Sequence, residues 1–99
     1  MHKAEALAAV ARLEELVRYF GAPDEETARE FKRLVYALRT GKLQDDYFSE
    51  KLTSFDGWGQ AGFSTRKFEK FQGGLQSVKV WALGELSTLG SLIELRWPG

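Results

Sequence analysis

The stretch Gly57-Trp58-Gly59-Gln60-Ala61-Gly62 spells G-x-G-x-x-G. With that spacing, glycines let a backbone turn tightly against a pyrophosphate at a helix N-terminus. The chemistry also needs a buried strand ahead of the first glycine and a carboxylate about 20 residues further on for a ribose. Glu85 stands at a fitting distance. The preceding Leu52-Thr53-Ser54-Phe55-Asp56, however, offers two apolar residues rather than a buried β run, and too little chain follows to build a doubly wound sheet. The string therefore reads as a structural joint, residues 57–62, with Trp58 as its aromatic plug.

Other reactive combinations are scarce. Cysteine is absent and the one histidine is His2, which removes thiolate chemistry, disulfides and histidine-based metal clusters. Asp45, Asp46 and Glu50 lie close together but lack the regular ligand spacing and turn glycine of a calcium loop. They read as a solvated helix start. No catalytic residue, cofactor or metal is expected, and the protein reads as a binding protein rather than an enzyme.

Positive charge is the sharper feature. Arg29, Lys32, Arg33, Tyr36 and Arg39 recur at helical spacing, so Arg29, Lys32, Tyr36 and Arg39 share one stripe beside an apolar face. Such a stripe suits a phosphate backbone, with Tyr36 placed to stack on a base. Arg66, Lys67 and Lys70 form a second cluster. The two clusters make nucleic-acid binding the alternative function, as a helix-turn-helix to which a C-terminal hairpin would add a wing.

A third feature is apolar. Three Trp, three Tyr and seven Phe are many for 99 residues, and a small domain has difficulty hiding all of them. Ser77, Gly84 and Ser91 fall at seven-residue steps, a small-residue stripe along which another helix approaches closely. Trp58, Phe63, Trp81, Gly84, Ser91 and Trp97 are accordingly the candidate interface residues. The leading expectation is a protein-interaction or assembly module, self-associating or a small subunit of a larger complex.

These residues must be positioned by helices. Residues 3–20 carry Leu7, Val10, Leu13, Val17 and Phe20 at spacings of three and four, and Gly21 stops that helix. Residues 24–40 repeat the pattern with Ala28, Phe31, Leu34, Val35 and Leu38, begun by Pro23 and acidic residues that suit the positive end of the helix dipole. A shorter helix is expected over 43–55. After the joint, Ser64 caps a fourth helix over 65–95, with Phe63 and Phe68 as a hydrophobic staple. Residues 75–97 fit two patterns: a helix with Leu75, Val78, Ala82, Leu86, Leu89 and Ile93 on one face, or a hairpin joined through Gly84–Gly90. Leu, Ala and Glu favour the helix, and the interior glycines favour the hairpin.

The expected fold is one mostly α domain, a small helical bundle made of an N-terminal helical hairpin and a C-terminal helix. The alternative is an α+β, winged-helix-like fold. Charges balance at 14 against 14, so no polyanionic partner follows from net charge. No apolar run reaches a membrane span, no membrane partner is expected, and a cytoplasmic location is the default.

Overall fold

A computed structural model describes residues 1–21, 24–41, 43–63 and 74–98, leaving aside the side chains of Trp58, Gln60 and Ala61. It contains four helices, α1 (Lys3–Val17), α2 (Glu25–Arg39), α3 (Asp46–Gly62) and α4 (Gly74–Arg96). Among the described residues there is no strand. The β-hairpin alternative for 75–97, and the wing with it, is thereby corrected. The interior glycines that argued for a hairpin are outweighed by Val78, Ala82, Leu86, Leu89 and Ile93, all essentially fully buried. That periodicity of three and four can be buried on one side only as a helix.

Start signals are local and polar. Glu5 accepts a hydrogen bond from the His2 N–H at 3.1 Å, closing the first turn of α1. Asp24 caps α2, its Oδ1 accepting from the backbone N–H groups of Glu26 and Thr27. Asp45 does the same for α3, accepting from the Phe48 N–H at 2.9 Å. At its other end α1 unwinds through Arg18, Tyr19 and Phe20, which bond three residues back. Gly21, at φ 89°, reverses the chain there. The helix therefore ends at Val17 rather than at 20. The expected start of the fourth helix at 65, with its Ser64 cap and staple, lies outside the described residues.

Each helix packs on two neighbours, in the ring order α1, α2, α3, α4. Lys3 reaches Glu94 and Lys79 reaches the Arg18 carbonyl, so α1 and α4 run antiparallel. Asp45 pairs with Arg96 and Lys51 with Glu85, so α3 and α4 do too. This is the up-down arrangement of an antiparallel helical bundle. The core holds Leu13, Leu16, Phe31, Val35, Leu38, Phe48, Leu52 and Phe55 together with the inner face of α4.

The glycine string is not a joint. Residues 57–62 form the C-terminal end of α3, which continues past the expected stop at 55. Gly59 is buried there against the Phe31 ring, and a Cβ at that position would overlap the ring. Phe31 in turn meets Phe20, Phe55 and Phe63 at centroid distances of 6.1, 5.1 and 5.6 Å. Two helix-weakening glycines are tolerated because this aromatic cluster holds the helix from inside. No strand precedes the string, so its letters form no phosphate loop.

Candidate interaction surfaces

The inner face of α4 buries Val78, Ala82, Leu86, Leu89, Leu92 and Ile93. On the opposite side, helical periodicity places Val80, Gly84, Ser87, Ser91 and Leu95 in a line with Leu83 beside it. Val80 is 62% exposed, Leu95 81% and Leu83 44%. Between Lys79 and Glu94 the helix carries one charge, Glu85, and it turns aside to Lys51 of α3. A surface helix normally sets charged residues opposite its core face. The α2 helix does so, with Glu25, Glu26, Arg29, Lys32, Arg33, Tyr36 and Arg39 all outward and exposed. The α4 helix does not. Gly84 has nothing within 4 Å of where a Cβ would stand, so no packing among the described residues explains it.

Of the expected interface residues, Gly84 and Ser91 lie on this outward face. Trp81 is half-buried at the edge of the core. Phe63 and Trp97 are both buried inside the chain. The Trp97 indole N–H donates to the Met1 carbonyl at 3.2 Å, and its ring meets Phe48 at 6.4 Å. Large aromatic side chains close the bundle ends, where apolar area is needed to fill the gap between helices. The Trp58 side chain lies outside the described residues. Val80, Leu83 and Leu95 were missed; their signal was their position opposite the buried stripe. Beside this face, a groove of about 410 Å³ runs between α1 and α4, with Glu14, Glu15 and Arg18 on one wall and Val80 and Leu83 on the other.

The basic stripe is on α2 as expected. Arg29, Lys32 and Arg33 are exposed and make no ion pair among the described residues, and Tyr36 between them is 64% exposed. Arg39 differs, lying 3.7 Å from Asp56 of α3. Glu30, the one acid within the stripe's span, is turned away and held by the Arg12 guanidinium at 2.7 and 3.0 Å. That bond holds the Glu30 carboxyl below its usual range. Arg66, Lys67 and Lys70 lie outside the described residues.

A further cleft, of about 310 Å³, opens between α3 and α4 and is lined by Tyr47, Glu50, Lys51, Ser54, Trp81 and Glu85. Lys51 Nζ lies 3.2 Å from Glu85 Oε1 and 5.5 Å from the centre of the Tyr47 ring. The hydrogen bond to Glu85, with its charge, raises the Lys51 pKa. The sequence holds the parts as two i, i+4 pairs, Tyr47/Lys51 and Trp81/Glu85, but nothing in it pairs the helices that carry them. Among the described residues no three His, Cys, Asp or Glu side chains converge as metal ligands, and no helix is long and apolar enough to cross a membrane. Asp45, from the acidic group, is instead engaged by the α3 cap and Arg96. No protein-family model, curated protein or solved structure matches the chain.

Proposed function

We propose that the protein is a non-enzymatic, self-associating module whose contact is the outward face of α4 packed against the same face of a second copy. The carrying observation is that face itself: uncharged from Val80 to Ser91 apart from the averted Glu85, small at Gly84, Ser87 and Ser91, and apolar at Val80, Leu83 and Leu95. Small residues let two helix axes come close, and the flanking apolar groups leave water on contact.

An antiparallel pairing matches small and apolar positions along the face. At its ends Lys79 donates to the Arg18 carbonyl and Glu94 lies 3.9 Å from Lys3, so the match rests on side-chain size rather than on charge. With a two-fold axis near Ser87, Val80 stands opposite Leu95 and Gly84 opposite Ser91. This is the self-complementary pattern of an isologous dimer. The contact line from Val80 to Leu95 is about 22 Å long, which favours a reversible dimer over a permanent one. Sedimentation equilibrium tests it: Val80→Glu, at an exposed site, should abolish association while leaving the fold intact.

A second reading rests on Arg29, Lys32 and Arg33, which make no ion pair among the described residues and lie beside an exposed Tyr36. That face suits a single-stranded nucleic acid, cations meeting phosphates and the ring meeting a base. Salt-dependent retention of labelled single-stranded DNA, lost in Arg29→Glu/Arg33→Glu, supports this reading. Absence of retention at low salt removes it.

A further inference from the structure

The cleft between α3 and α4 already holds a cation of its own. Lys51 reaches across from α3, its ammonium 3.2 Å from Glu85 Oε1 and within reach of the Tyr47 ring face. It engages one of the two carboxylate oxygens of Glu85. Glu85 Oε2 is buried and has no hydrogen-bond partner among the described residues, although the Glu85 side chain as a whole is 14% exposed. An ammonium is a point donor and engages one carboxylate oxygen well. Leaving the second buried acceptor unpaired is costly.

From this mismatch we propose that the cleft is a binding site for a guanidinium group, that of an arginine side chain. A guanidinium presents two parallel N–H groups in a plane and meets both oxygens of a carboxylate at once. It also stacks on aromatic faces, which an ammonium does less well. Tyr47 supplies such a face on the α3 side, and Trp81 closes the α4 side. Glu50 at the rim adds a second negative charge, so Glu50, Glu85 and Lys51 together remain net negative. The about 310 Å³ of the cleft accommodates a side-chain-sized group and little more. On entry the arginine displaces Lys51 from Glu85, and the lysine, already partly exposed, swings into solvent. The site is separate from the outward face of α4 and does not depend on self-association.

The probe is N-acetyl-arginine amide, with N-acetyl-lysine amide as its comparison, titrated into the ¹⁵N-labelled protein and followed by NMR. The expected result is a saturable shift of Tyr47, Ser54, Glu85 and the Trp81 indole N–H with the arginine amide, and weaker shifts with the lysine amide. Glu85→Gln should remove the response. Lys51→Met should strengthen it by up to about fivefold, the worth of one partly exposed ion pair that no longer competes. Circular dichroism confirms that both variants keep their helices. Equal binding of the two amides, shifts scattered away from the cleft, or weaker binding by Lys51→Met would each overturn the proposal.

Discussion

Gly59 and Gly84 carry the same letter in the middle of helices and have opposite meanings. Gly59 lies beneath the Phe31 ring, where a Cβ has no room. Gly59→Ala should cost about 1–3 kcal/mol, the usual range for overpacking a tight core, read from urea unfolding. Gly84 has open space around it. Gly84→Ala should stabilise the isolated chain by about 1 kcal/mol, the helix-propensity difference. A residue that weakens its own helix without helping the packing within the chain needs another reason to be small, and close approach of a second helix supplies one. The letter alone conceals this difference. What separates the two glycines is which face each presents and what ring arrives there, and that is decided by residues some thirty positions away. The burial of Trp97 was illegible for the same reason: nothing local reveals that Phe48 and Met1 close over it.

At the scale of elements, the helices were largely legible and their ends less so. The three-and-four spacing of Leu13, Val17, Phe31, Val35 and Leu38 located α1 and α2, because an amphipathic face is a property of local sequence. The end of α3 was misplaced because glycine counts against a helix locally, whereas Gly59 stays helical through its contact with Phe31. The caps also carry a pH dependence. Hydrogen bonds from Thr27 to Asp24, from Phe48 to Asp45 and from Arg12 to Glu30 lower all three carboxyl pKa values. A carboxyl lowered in the folded state contributes stability above its unfolded value, about 4, and loses it as pH falls through the folded value. Thermal unfolding should therefore be nearly independent of pH from neutrality down to about 5 and shift downward steeply below about 4. Lys51 has the opposite sign. Its pKa is raised by Glu85, so its contribution holds below the ordinary lysine range and is lost only at higher pH. Asp45→Asn tests the cap separately from the charge. It keeps an oxygen for the Phe48 N–H but loses the ion pair to Arg96, so it should lower the melting temperature less than Asp45→Ala.

Across the whole molecule, four antiparallel helices in a ring leave each with one outward face. Three of these faces are laced with charge, by Glu14 and Glu15 on α1, Arg29 and Arg33 on α2, and Asp46 and Glu50 on α3. The fourth is nearly bare. Sequence reading found the stripe of Ser77, Gly84 and Ser91 and joined Gly84 and Ser91 to the aromatic Trp58, Phe63, Trp81 and Trp97 as one surface. Phe63 and Trp97 are buried, and the large apolar groups this surface exposes are Val80, Leu83 and Leu95. The measurement that bears most directly on the assembly reading is sedimentation equilibrium of the wild-type chain beside Gly84→Gln, over a wide concentration range. Glutamine keeps the helix and adds no charge, but its side chain holds two helices apart. The expected result is a concentration-dependent dimer for the wild type and a monomer, no less stable to urea, for Gly84→Gln. A wild type that stays monomeric throughout, or a variant that dimerises as tightly, would contradict the account.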